Sequence, residues 1–161
     1  MLTIRRATEA DFVNIWKIFS EVVSHGDTCA YSPESSPEEA RSIWLTNGVA
    51  TYVASINDEI VGTYILRPNH PGLGAHVANA GYMVRSDTQG QGIGRAMCEH
   101  SLQEAKAAGF EAMQFNLVVC TNTGAVKLWQ KMGFAIVGTL PKAFRHRELG
   151  LVDAYVMHRF L

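Results

Sequence analysis

The 161-residue chain has no apolar run near the roughly 18 residues that a membrane-crossing helix needs. It has only three cysteines, Cys29, Cys98 and Cys120, and no C-x-x-C pair. Three thiols cannot all pair, so a disulfide scaffold is disfavoured and free thiols in a reducing compartment fit. The six histidines form neither H-E-x-x-H nor a Cys/His cluster at ligand spacing, so no metal is expected. Charge of one sign is also missing: 14 basic and 15 acidic side chains leave a net charge of -1. That balance argues against a nucleic-acid binder, whose surface would be strongly basic. Arg5-Arg6 and Lys142 to Arg147 are too short to change this. No repeat, low-complexity tract or linker divides the chain. The opening M-L-T-I-R-R carries charge too early for an apolar signal segment, and the expectation is a cytoplasmic protein.

The composition, 47% apolar and 18% charged, is that of a globular protein, and the length suits one domain over 1–161. Residues 2–6 read as a strand. Thr8 and Asp11 resemble a capping box, and Phe12, Ile15, Trp16, Phe19, Val22 and Val23 then recur at helical spacing. His25-Gly26-Asp27 ends that helix. Ser36, Pro37 and Glu39 start a second one, which the pattern carries to about Asn47-Gly48. Strands at 50–56 and 60–67 flank the turn Asn57-Asp58-Glu59. A third strand follows at 76–84 after a loop from Pro68 to Gly74. A helix from Ile93 to about Ala108, a strand at 112–119 and a helix capped by Asn122 come next. Strands at about 134–139 and 153–160 close the chain, with an Arg- and His-rich loop between them. The order β-α-α-β-β-β-α-β-α-β-β implies an α/β fold of mixed sheet, with a meander followed by two parallel crossover units.

The stretch Gln89-Gly90-Gln91-Gly92-Ile93-Gly94-Arg95 joins a strand to a helix. Glycines let main chain approach a ligand, and a helix start offers unpaired N–H groups with partial positive charge. The combination suits a phosphate or pyrophosphate. A Walker A loop would need G-K-[ST], and a dinucleotide fingerprint would need glycine at 95 and a place in the first βαβ unit. Neither condition is met.

Q-G-Q-G-I-G at 89–94 resembles the Q/R-x-x-G-x-G/A signature of the GCN5-related N-acetyltransferases. Asn122, Ala125, Leu128 and Gly133-Phe134 reproduce that family's N-x-x-A-x-x-L-x-x-x-x-G-F. The resemblance covers 2–160 and implies acetyl-CoA as donor and co-substrate. It places the pyrophosphate on the backbone of Gln89, Gly90, Gln91, Gly92, Ile93, Gly94 and Arg95. The pantetheine would lie beside Met83 and Val84, with Asn122 on the same arm. It also implies a splay between the fourth and fifth strands, ending near Val84 and Val119, and is compatible with a homodimer.

Many members of the family carry a tyrosine as general acid where this chain has Trp129, and an indole is no practical acid. H-V-A-N-A-G-Y-M-V at 76–84 and F-N-L-V-V-C-T-N at 115–122 resemble the fungal acetyltransferases of proline analogues and related bacterial members. That likeness implies a small amino- or imino-acid acceptor positioned by Asn79 and Asn116. Either asparagine could instead satisfy strand-edge backbone groups. His25, Asp27, Arg145, His146, Tyr82, Tyr155 and Cys120 are further polar or nucleophilic candidates, each with an ordinary structural reading. Cys98 and His100 read as structural. Acetylation of a protein N-terminus or lysine, and a non-catalytic acyl-CoA-binding module, are the competing functions.

Overall fold

The computed structural model describes residues 1–161. Seven strands form one sheet: β1 (Leu2–Arg6), β2 (Ala50–Ile56), β3 (Glu59–Pro68), β4 (Val77–Val84), β5 (Ala112–Val119), β6 (Ala135–His146) and β7 (Gly150–Phe160). Their spatial order is β1-β2-β3-β4-β5-β7-β6. Strand alternation splits the core in two. Tyr64, Leu66, Ala78 and Ala80 face α3 (Ile93–Ala107) and α4 (Thr123–Lys131). Val53, Ile65 and Met83 face α1 (Phe12–His25) and α2 (Pro37–Trp44).

The caps form as their residue types require. Ser36 Oγ accepts from the Glu39 N–H at 3.1 Å, and the Glu39 carboxylate accepts from the Ser36 N–H at 2.9 Å. Asp11 accepts from the Thr8 N–H at 2.7 Å and takes two 2.8 Å bonds from the Arg5 guanidinium. Asn57 and Asp58 both take left-handed φ, +49° and +66°, in the tight turn between β2 and β3.

Three expectations need correction. Helix α2 stops at Trp44 rather than running to Asn47-Gly48. The Trp44 carbonyl accepts from the Thr51 hydroxyl, and its indole donates to Thr63 Oγ1 at 2.8 Å, so tertiary partners replace the next helical turn. The Arg- and His-rich segment is not a loop; it belongs to the long β6–β7 hairpin. Pro141 sits in β6 because β6 is the sheet edge, where a missing N–H costs no ladder bond. A register shift between Leu140 and Phe144 accommodates it, with Lys142 at φ +53°. Finally, only one crossover pairs its strands in parallel, β4 with β5. Strand β7 inserts antiparallel between β5 and β6, so the second unit's strands are never neighbours.

Candidate active site

Strands β4 and β5 pair only at Val77–Ala112 and Ala78–Met113, then part. The cause lies on the far side of β5. There its register with β7 shifts between Phe115 and Val118, a bulge that bends the strand. Ladder alternation turns Val77 and Arg85 toward β3, where the Val77 carbonyl accepts from Asn69 and the Arg85 N–H donates to Val61. The same alternation turns the main-chain groups of Ala80, Tyr82 and Val84 into the widening gap, where no ladder partner meets them. The expected splay is therefore present between the fourth and fifth strands.

At the wide end of the wedge, β4 leads into the 3-10 turn Ser86–Thr88 and the glycine loop. This turn is held by side chains. Arg85 pairs with Glu59 at 2.8 Å and with Asp87 at 2.6 Å, and Glu21 of α1 accepts from the Ser86 hydroxyl. Hydrogen bonds from its guanidinium to those two carboxylates raise the Arg85 pKa further. Gly90 and Gly92 take φ +78° and +79°, a conformation open to glycine at little cost, and nothing lies within 4 Å of where a Cβ would stand. The N–H groups of Gly90, Gln91, Gly92, Ile93, Gly94 and Arg95 find no acceptor in the protein. Helix α3 has no side-chain N-cap and no acid in its first turn. Six donors at a helix start without acceptors in the protein fit a pyrophosphate.

Gly94 has a different task. A Cβ there would touch Leu128 of α4 at 3.7 Å and Val84 at 4.0 Å, so this glycine sits where α3, α4 and the end of β4 converge. Asn122 is the N-cap of α4. Its side-chain oxygen accepts from the Ala125 N–H at 3.4 Å, leaving its NH2 without a partner. Met83 is buried against the α1–α2 face, and Val84 is half-buried on the other.

The narrow end is lined by side chains on the α1–α2 face. Asn79 Nδ2 donates to the main-chain carbonyl of Gln114 at 3.0 Å, bridging the first gap of the splay. Gln114 Nε2 donates to Asn116 Oδ1 at 3.0 Å, and Asn116 Nδ2 donates to Asn69 Oδ1 at 2.7 Å. The structure thus joins Asn79 and Asn116 through Gln114. Asn69 and Gln114 escaped the sequence reading. The only signal for them was a polar residue at a strand end and another at an alternate position of β5.

The remaining candidates resolve individually. Trp129 packs on Tyr82 and Phe115, each with ring centroids 5.0 Å away, as a core side chain would. Tyr82 is half-buried and bonded to Ser101 Oγ at 2.6 Å, and desolvation pushes its pKa well up. Tyr155 is half-buried and its hydroxyl has no partner. His146 accepts from the Glu148 and Leu149 N–H groups through Nδ1, at 3.1 and 3.2 Å, and so caps the β6–β7 turn. The neighbouring Arg147 N–H donates to the Gly26 carbonyl at 3.0 Å, fastening the hairpin to the end of α1. His25 and Asp27, on either side of Gly26, make no side-chain bond. His100 bonds to the Tyr64 hydroxyl at 2.7 Å beneath α3. Burial pushes the Cys98 thiol up to about 12. A cavity of about 500 Å³ opens near the C-terminal end of α3, lined in part by Arg6, Tyr52 and Glu104, and the glycine loop takes no part in it.

No helix is long and apolar enough to cross a membrane. Residues 15–134 match the model of the acetyltransferase (GNAT) family. A GCN5-related N-acetyltransferase structure from Kribbella flavida is 48% identical and superposes with a TM-score of 0.95, covering 99% of this chain and 98% of that one. The N-acetyltransferase aca1 of Schizosaccharomyces pombe is 33% identical over 109 residues, 67% of this chain. Its matched part is 52% of its length, so the chain spans about half of that relative. The L-amino acid N-acetyltransferase AaaT of Escherichia coli is 27% identical over 98% of this chain and 97% of its own. With the splayed strands, the free N–H loop and the family model in agreement, the chain belongs to the acetyltransferase (GNAT) family, a family of N-acetyltransferases that use acetyl-CoA.

Proposed function

We propose that the protein transfers the acetyl group of acetyl-CoA to the amine of a small amino- or imino-acid-like acceptor, by direct attack in a ternary complex. The observation that carries this reading is the position of the Asn79–Gln114–Asn116–Asn69 amides at the narrow end of the wedge. The name of the Escherichia coli relative, an L-amino acid N-acetyltransferase, points the same way.

Acetyl-CoA, when bound, supplies the activated acyl carbon. The free N–H groups of Gly90 to Arg95 would hold its pyrophosphate, and the unpaired NH2 of Asn122 is available to the pantetheine arm. Main-chain N–H groups facing the gap from β4 would stabilise a developing oxyanion. Asn79 and Asn116 would orient the acceptor so that its neutral nitrogen faces the thioester, an entropic gain that reaches about 7–11 kcal/mol in favourable cases. The nitrogen–carbon bond forms and the carbon–sulfur bond breaks. The amine loses a proton and the departing thiolate gains one. An asparagine cannot act as base, and Trp129 is no acid, so proton movement through water fits these residues.

The test is release of the CoA thiol from acetyl-CoA against amino acids, proline analogues, polyamines and a peptide. Release is expected with amino or imino acids and should fall about 10- to 100-fold in Asn79→Ala and Asn116→Ala, while acetyl-CoA still binds. Turnover confined to the peptide or polyamines, or acetyl-CoA binding without turnover, overturns the reading.

A further inference from the structure

Arg67 lies near the end of β3, directly opposite Asn79 in the β3–β4 ladder, so the two side chains share the α1–α2 face. It is half-buried, yet it joins none of the five ion pairs and donates no hydrogen bond within the protein. Its charge reaches Tyr31, in the segment between α1 and α2, where it opposes the rise in phenol pKa caused by burial. Asn69 follows two residues later on the same strand side and belongs to the amide chain.

The amide chain leaves two of its four oxygens and most of its donors free. Asn69 Oδ1 and Asn116 Oδ1 are engaged, leaving the oxygens of Asn79 and Gln114 free. Three amide N–H bonds are spent on Gln114, Asn116 and Asn69. The other amide N–H groups of these four residues, and all five of the guanidinium, remain unspent. No carboxylate pairs with any of these residues. A cation with surplus donors around it matches a planar group with two acceptor oxygens. The free amide oxygens of Asn79 and Gln114 can take the N–H of an amine.

We infer that Arg67 is a specificity-determining residue that receives the carboxylate of the acceptor, restricting the enzyme to amines that carry one. This rests on the small amino-acid-like acceptor proposed above. It differs from that proposal in naming the anion's partner, which neither motif of the family contains.

Initial rates should be compared for matched pairs of acceptors, an amino acid and its carboxamide, in the full chain and in Arg67→Leu and Arg67→Lys. In the unmodified protein the acid is expected to be the better acceptor. Arg67→Leu should raise KM for the acid enough to lower kcat/KM about 10- to 100-fold. The carboxamide and the KM for acetyl-CoA should stay within about twofold, which also reports correct folding. Arg67→Lys should recover part of the loss, because charge survives where the bidentate geometry does not. Equal losses on acid and carboxamide, or no loss on either, overturn the role of Arg67 while leaving amino-acid acetylation standing. Turnover of peptide or polyamine alone, or of no acceptor, overturns both.

Discussion

At the wide end of the β4–β5 wedge the polar groups without a full set of partners are main-chain N–H groups. At the narrow end they are four side-chain amides and one guanidinium. The wide end comes from seven consecutive residues, Gln89 to Arg95. The narrow end draws on β3, β4 and β5, with Asn69 and Asn116 separated by 47 positions. A main-chain site tolerates change at its side chains and fails when its φ values cannot be reached. A side-chain site has the opposite sensitivity.

The largest effect should come from Gly92→Val. Left-handed φ costs an L residue roughly 1–2 kcal/mol, and a β-branched side chain would stand between the N–H groups and their ligand. Acetyl-CoA Kd, measured by calorimetry, should rise about 100-fold, which corresponds to about 2.7 kcal/mol. A change below threefold would mean that the loop's conformation is not what binds.

Asn79→Ala and Asn116→Ala should separate next, by stability rather than by activity. Asn79 pairs a strand carbonyl that the splay leaves without a ladder partner, and its loss should lower unfolding free energy by about 1–2 kcal/mol in denaturant titration. Asn116 is exposed and bonds only to other side chains, so its loss should cost under about 0.5 kcal/mol. Equal destabilisation would show the amide cluster to be structural throughout.

Asp11 belongs to neither end and is the control for both. Hydrogen bonds from Arg5 lower its pKa to about 2, against an ordinary value of 3.8. A depressed folded-state pKa stabilises above the unfolded value, and that contribution disappears as pH falls through the folded one. Asp11→Asn should therefore lose about 1–3 kcal/mol at neutral pH, with the gap to the unmodified protein closing between about pH 4 and pH 2. Acetyl-CoA Kd should not move. A gap independent of pH would remove the ion pair as its source.

The smallest effect should be that of Gly94→Ala. The site has ordinary φ and room for a methyl group in van der Waals contact with Leu128. Acetyl-CoA Kd should stay within about twofold by the same calorimetry. Together with Gly92→Val it divides the loop's glycines into those needed for conformation and one placed for packing.

Local chemistry made most of the chain legible. The Ser36–Glu39 box, the Asn57-Asp58 turn and the stripe of α1 are written in residues a few positions apart, and apart from the early end of α2 the elements up to Gly133 fall close to where those signals put them. The glycine loop was legible for the same reason: its conformation and its free N–H groups arise within one segment. The β6–β7 hairpin was not. Pro141 and a run of charges look like a loop until the strand is known to be an edge, and an edge is a property of the whole sheet. The place of β7 between β5 and β6 is likewise a tertiary choice. The bulge of β5 beside the open wedge lies in its pairing with β7.

Asn79 and Asn116 could be picked out singly, as amides in strands that ordinarily disfavour them. Their connection through Gln114 and the nearness of Arg67 could not. Spacing of a few residues is carried by the sequence itself, because turns, caps and helix starts are local equilibria. Neighbours 35 or 47 positions apart are decided by strand register, and register forms only when the two cores pack on either face of the sheet.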